Sequence, residues 1–192
     1  MSQFWIYFEL GLSHVLDWNG YDHILFLIVL AAPFTFRDWK KALILVTLFT
    51  LGHTAALVLS IYEIIAVNAS LVEFLIPATI LATAVYNIIT GGKTAANSKI
   101  LWISTIFFGI IHGLGFSNYF RLIESGSSSK MLQLVSFALG IELAQVLIVI
   151  SVIMLTFLMT SVIRFSEKEW VLIASSVVIG LCLPILRDTA FW

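Results

Sequence analysis

Seven apolar stretches, separated by short groups of charged residues, constrain this chain more than any other feature of its sequence. Hydrophobic residues make up 60% of the 192 residues, and charged residues make up only 11%. Soluble domains carry about 25% charged residues, so this composition excludes a water-soluble globule. A helix needs about 20 apolar residues to cross the hydrocarbon core of a bilayer. The sequence therefore predicts an all-α fold, a polytopic transmembrane helix bundle.

The apolar stretches delimit the predicted helices, because only helices satisfy every backbone polar group inside a bilayer. They cover residues 4–16, 21–36, 42–62, 71–90, 100–120, 131–163 and 170–186. The first two are short and are interrupted by the sequence Asp17-Trp18-Asn19-Gly20, so they form either two short helices or one broken helix. We expect six or seven membrane helices, the first one short or broken, in a single transmembrane domain over residues 1–192.

Basic residues predict the orientation of the bundle, because short cytoplasmic loops are enriched in Lys and Arg. Placing the loop at residues 37–41 in the cytoplasm puts seven of the ten basic residues on that side. The remaining three, Arg121, Lys130 and Arg187, then lie outside. The net charge of −1 and the absence of a basic patch predict no nucleic-acid partner. Cys182 is the only cysteine, which excludes a disulfide scaffold.

Ten polar residues lie inside the apolar stretches or at their ends, and all four histidines are among them. They are His14, Asp17, Asp22, His23, His53, Glu73, Asn87, His112, Glu142 and Gln145. A charge at the centre of a membrane helix costs about 2.5–3.5 kcal/mol, so such residues need partners or a function. The predicted topology places most of them in the outer half of the membrane. We expect a water-accessible polar pocket that faces the extracytoplasmic side.

The combination of imidazole and carboxylate side chains suits a divalent transition metal such as Ni²⁺, Co²⁺ or Zn²⁺. The candidate metal ligands are His14, Asp22, His23, His53, His112, Glu73 and Glu142, with Asp17, Gln145 and Asn87 as supporting residues. Small residues around His112 and Glu142 predict close helix packing there. Each residue also has a simpler interpretation: a membrane histidine can bond between helices, Asp17 can cap a helix, and Asn87 can bond to backbone.

Several blocks of the sequence resemble one known family. They are Gly11-x-x-His14, the stretch from Gly20-Tyr21-Asp22-His23 to Phe26, Phe49 to Thr54, Val72-Glu73, Gly109 to Phe116, and Gly140 to Gln145. In order and spacing, over about residues 9–150, they resemble the HupE/UreJ membrane proteins. Val15 stands where one branch of that family has a proline after the histidine. The resemblance implies a nickel or cobalt permease of the bacterial inner membrane, associated with hydrogenase or urease gene clusters and possible metalloenzyme-maturation or transport partners.

Three functions therefore stay open from the sequence. The first is a divalent transition-metal permease, driven by a gradient or by partner subunits because no Gly-rich ATP-binding loop is present. The second is an intramembrane zinc-dependent hydrolase with Glu73 or Glu142 as general base. The third is a haem-binding subunit with His53 and His112 as axial ligands, or a non-catalytic assembly subunit.

Overall fold

The computed structural model describes residues 2–18, 20–65, 67–93, 99–123 and 130–191, and this part of the chain is helical without any strand. The helices are α1 Gln3–Leu16, α2 Asp22–Ala31, α3 Trp39–Ile61, α4 Ala69–Thr90, α5 Lys99–Ile123, α6 Lys130–Phe157 and α7 Glu167–Asp188. A 3₁₀ turn, Phe36–Asp38, precedes α3, and a π-helical turn, Leu158–Val162, extends α6. The prediction of an all-α polytopic bundle is confirmed.

Local sequence signals explain several of the helix ends. The Asn68 side chain accepts hydrogen bonds from the backbone N–H groups of Ser70 and Leu71, and this cap begins α4. Ser166 and Glu169 form a capping box at the start of α7. Helix α4 ends at Gly91, whose φ of 57° is left-handed and therefore favours glycine.

Helix α2 is shorter than the predicted stretch at residues 21–36, and proline explains the difference. The helix ends at Ala31, two residues before Pro33. Ala32 is still helical and its N–H bonds to the carbonyl of Ile28, but Pro33 has no N–H to donate to the carbonyl of Val29. The helix therefore stops there and the 3₁₀ turn follows. Helices α3 to α7 are each long and apolar enough to cross a membrane, whereas α1 and α2 are not.

Helices α1 and α2 together cover the same depth of the bundle as α5, in the opposite direction. Their side chains meet successively earlier residues of α5: Tyr7 meets Ile123, His14 meets Phe116, His23 meets His112, and Phe26 meets Phe108. The two short helices are therefore the halves of one broken span. This favours one broken helix over two separate short ones, beside the five helices α3 to α7 that are long enough to cross a membrane. The break between them is level with the middle of α5.

Paired glycines bring two pairs of helices into direct backbone contact. On α3 and α5, Gly52 lies against the carbonyl of Ile106, and Gly109 lies against the carbonyl of Phe49. The same reciprocal pattern occurs between α1 and α6: Gly11 faces the Phe137 carbonyl and Gly140 faces the Phe8 carbonyl. A Cβ at any of these four glycines would overlap the opposing backbone. The close approach predicted around His112 and Glu142 is thus present, and it joins α5 to α3 and α6 to α1.

The α3–α5 contact predicts a specific loss of stability. We expect Gly109→Ala to destabilise the protein by about 1–3 kcal/mol, because the new methyl group must push α3 away from α5. Thermal unfolding of the purified protein in detergent measures the effect. The control is Gly180→Ala in α7, where a Cβ meets nothing within 4 Å. Because alanine is the better helix former, Gly180→Ala should leave the melting temperature unchanged or raise it. Equal melting temperatures for both variants would contradict the role of the glycine contact.

Candidate metal centre

Three histidines that are distant in the chain meet at the break in the first span. One ring nitrogen from each of His14, His23 and His53 lies within 4.8 Å of the others. The three residues come from the last turn of α1, the first turn of α2 and the middle of α3. His112 on α5 adjoins them, with its ring centre 5.2 Å from that of His23. The structure therefore brings together all four imidazoles that the sequence predicts.

These imidazoles are buried yet carry ring nitrogens without hydrogen-bond partners. His53 is 0% exposed, His112 1% and His23 3%, while His14 is half-buried. In the described part of the chain, both ring nitrogens of His53 and the Nε2 atoms of His14, His23 and His112 have no partner. Leaving a buried polar atom unpaired costs about 1–3 kcal/mol, so a cluster of such atoms calls for a ligand. Their common chemistry is that of imidazole ligands to a metal ion.

Two of the rings are held with Nε2 directed away from their hydrogen-bond partners. The Nδ1 atom of His112 lies 2.8 Å from the carbonyl oxygen of Phe108. Because a carbonyl only accepts, Nδ1 carries the hydrogen and Nε2 keeps its lone pair. His23 Nδ1 lies 3.0 Å from Asp22 Oδ1, which also accepts the backbone N–H of His23. A carboxylate behind a ligating imidazole orients the ring and raises its basicity as a ligand.

The ends of the two half-helices add to the electrostatics of the cluster. Asp22 is the first residue of α2, where the positive end of the helix dipole stabilises its carboxylate. His14 lies in the last turn of α1, where the negative end of the dipole favours a cation. The break in the helix therefore has two effects. It places one imidazole on each half-helix, and it directs the end of each half-helix toward the histidine cluster.

Aromatic rings pack around the imidazoles. Phe116 and Phe137 stack on each other at 5.1 Å, and the ring of Phe116 lies 3.9 Å from that of His14. On the other side of the cluster, Phe49 lies 5.1 Å from His112 and 5.0 Å from Phe26. Such a shell excludes water and lowers the local dielectric, which strengthens every interaction between these ligands and a bound cation.

Acidic residues line the approach to the cluster. A cavity of about 180 Å³ is lined by His14, His23 and His112 together with Asp17, Asp22 and Glu73. Both Asp17 and Glu73 are exposed. His14 and Asp17 also border an open depression of about 970 Å³, to which Glu9 contributes. Glu9 is not among the predicted site residues. A carboxylate inside an apolar helix is the sequence feature that identifies Glu9 as a candidate site residue.

Glu142 and Gln145 lie beside the cluster and bond to α3. The Glu142 carboxylate accepts hydrogen bonds from Thr47, at 2.6 Å, and from Thr50. Thr50 also contacts the side-chain oxygen of Gln145 at 3.3 Å. No hydrogen bond joins Glu142 to an imidazole among the described residues, but Thr50 lies one helical turn before His53. These polar groups therefore extend the polar surface of α3 beyond His53.

Asn87 lies apart from the imidazoles and connects two helices. Its side-chain nitrogen donates to the carbonyl of Val29 at 2.6 Å, and this hydrogen bond connects α4 to α2, the second half of the broken span. This contact agrees with the simpler interpretation, in which Asn87 bonds to backbone. It stabilises the position of α2, on which Asp22 and His23 depend.

Comparison with known proteins gives one match that covers nearly the whole chain. The sequence model described as HupE / UreJ protein matches residues 1–186. No curated protein and no solved structure matches the chain. The family suggests a role related to nickel or cobalt transport. The resemblance drawn from the sequence blocks is confirmed, and the chain belongs to the HupE/UreJ family.

Proposed function

We propose that this protein is a permease for a divalent transition-metal ion, with Ni²⁺ or Co²⁺ as the transported ion. The observation that carries the proposal is the set of three buried ring nitrogens, from His14, His23 and His53, within 4.8 Å of one another. In this proposal, His112 is a fourth nitrogen donor, and Asp22 orients His23 and offsets one positive charge. Family membership supports the choice of nickel or cobalt.

The donor set suits a borderline metal ion rather than a hard one. Imidazole binds Ni²⁺, Co²⁺ and Zn²⁺, whereas Mg²⁺ and Ca²⁺ prefer oxygen ligands. Neutral histidines leave most of the charge of the ion uncompensated, and such a site releases its ion more readily than a closed thiolate site. A permease needs this balance, because its ion must bind and then leave.

The broken first span supports transport. Many transporters bind their substrates near the membrane midplane, where discontinuous helices turn their ends toward the site. Here the break between α1 and α2 is level with the middle of α5, and it holds two of the imidazoles. Closed structural metal sites in proteins need no such break.

A chain of polar groups provides a route for the ion in this proposal. Glu9, Asp17 and Glu73 attract cations to the open depression and the cavity below it. The ion then reaches the imidazoles. Thr50 on α3 and Glu142 on α6 follow, in the direction of Trp39, and Glu142 offsets the charge of the ion after it leaves His53. We propose that the acidic entrance faces the extracytoplasmic side.

A zinc-dependent hydrolase is the second candidate, and one observation favours it. Glu73 lines the same cavity as His14, His23 and His112. A carboxylate in that position is a candidate general base for a metal-bound water. The difference between the two functions is whether the bound ion crosses the bilayer.

We expect His53→Ala to reduce metal uptake at least tenfold, because the variant removes a ligand that is fully buried at the centre of the cluster. The measurement is radiolabelled nickel or cobalt uptake by proteoliposomes that contain the purified protein. Ser136→Ala is the control, since Ser136 is equally buried but bonds only to its own helix at Leu132. Its uptake should equal that of the wild type, and both variants should be folded by circular dichroism.

Two results of this experiment would contradict the proposal. If His53→Ala transports as well as the wild type, the cluster is not the transport site. If the wild type binds the metal without moving it across the bilayer, the permease is wrong, and a zinc-dependent hydrolase becomes the better explanation. Elemental analysis of the purified protein then shows whether zinc is retained.

We expect Asp22→Ala to weaken metal binding by about 10–100-fold, the usual effect of removing a carboxylate behind a ligating histidine. Asp22→Asn should lie between this variant and the wild type, because an amide oxygen still accepts from His23 Nδ1 but carries no charge. Isothermal titration of the detergent-solubilised protein with Ni²⁺ measures the three affinities. Identical affinities would show that Asp22 does not orient His23.

A further inference from the structure

A polar pocket of about 380 Å³ lies far from the histidines, at the end of the bundle where α3 and α7 begin and α6 ends. It is surrounded by the turn before α3, the last residues of α6 with the π-helical turn that follows, and the first residue of α7. Its lining residues are Thr35, Phe36, Arg37, Thr156, Phe157, Thr160, Ser161 and Glu167. Neither the metal site nor the proposed route uses this pocket.

Two residues of opposite charge, Arg37 and Glu167, line the pocket without forming an ion pair. In the part of the chain that the structure describes, no salt bridge or hydrogen bond occupies the guanidinium of Arg37 or the carboxylate of Glu167. The neighbouring Lys41, by contrast, pairs with Asp38 at 3.3 Å. Arg37 and Glu167 therefore present a free cation and a free anion to the same space.

The hydroxyl groups of the pocket complete its polar wall. The hydroxyl of Thr160 donates to its own helix at Thr156, and Thr35 donates to Asp38, so both keep only acceptor capacity. No such bond holds Ser161 among the described residues, so its hydroxyl can donate to a ligand in the pocket. Thr160 and Ser161 belong to the π-helical turn, a conformation that is rare and that occurs frequently at functional sites.

The position of the pocket is that of the membrane–water interface. Three membrane-crossing helices begin or end around it, and the exposed Trp39 and Lys40 follow it in the chain. Tryptophan and basic residues mark the level of lipid headgroups. Phe36 and Phe157 pack edge to face at 5.7 Å and form an apolar wall, which suits the glycerol and the first methylene groups of a lipid.

We propose that this pocket binds the headgroup of a phospholipid that carries both a phosphate and a primary amine, such as phosphatidylethanolamine. The guanidinium of Arg37 binds the phosphate in bidentate fashion, and Ser161 donates a further hydrogen bond. The carboxylate of Glu167 binds the ammonium group. Basic residues between membrane helices at the interface are a recognised feature of lipid sites, and here Glu167 adds an anion for the amine. The bound lipid links the first turn of α7 to the loop before α3.

Native mass spectrometry of the detergent-solubilised protein tests this proposal with three lipids of equal chain length: phosphatidylethanolamine, phosphatidylcholine and phosphatidylglycerol. We expect phosphatidylethanolamine to bind most tightly to the wild type. Arg37→Gln should weaken its binding about tenfold or more, as expected for a lost hydrogen bond to a charged group. The matched control is Lys40→Gln, because Lys40 lies 5.6 Å from the Trp39 ring and does not line the pocket. That variant should bind like the wild type.

A second variant and a second ligand separate the parts of the proposal. Glu167→Gln should remove the preference for phosphatidylethanolamine over phosphatidylglycerol while leaving phosphate binding in place. Inorganic phosphate, added at millimolar concentration, should not displace the lipid if the pocket recognises the whole headgroup. Equal binding of all three lipids to the wild type, or unchanged binding to Arg37→Gln, would overturn the proposal. Displacement by inorganic phosphate would show a site for the free anion instead.

Discussion

Backbone contact at paired glycines fixes the positions of three of the four imidazoles. Gly52 is adjacent to His53, Gly109 is one helical turn before His112, and Gly11 is one turn before His14. Because each glycine lies against a carbonyl of its partner helix, the neighbouring histidine is held at a defined depth and direction. Larger residues at these positions would separate the helices, and the ring nitrogens would then lie too far apart to share one ion.

The same contacts explain how a small bundle tolerates so many buried polar atoms. Unpaired ring nitrogens reduce stability, and tight packing of the surrounding helices and of the phenylalanine rings offsets this cost. The break in the first span contributes as well, because it turns two helix ends toward the cluster. Stability and the ability to bind a cation are therefore set by different groups of residues, with glycine and phenylalanine serving the first and histidine the second.

The two proposed sites differ in chemistry in a way that matches their surroundings. At the level of the break, buried nitrogen donors suit a transition metal. At the end of the bundle, Arg37 and Glu167 remain in contact with water and suit the two charges of a headgroup. A lipid bound there would hold α7 against the loop that leads into α3, on which His53 lies.

The fold was largely predictable from the sequence, because membrane helices stand out as long apolar stretches. The candidate ligands stand out as well, because histidines and carboxylates are rare inside such stretches. Apolar length could not show that α1 and α2 are halves of one span, because each is a plausible short helix by itself. Apolar length also could not show that His14, His23 and His53 lie together while Glu142 lies beside them, because all four are polar residues inside apolar stretches. By itself, the sequence determined how many helices form and which residue types they bury. Only the tertiary structure decided which of those residues share a point in space, because that depends on backbone contacts between helices that are distant in the chain.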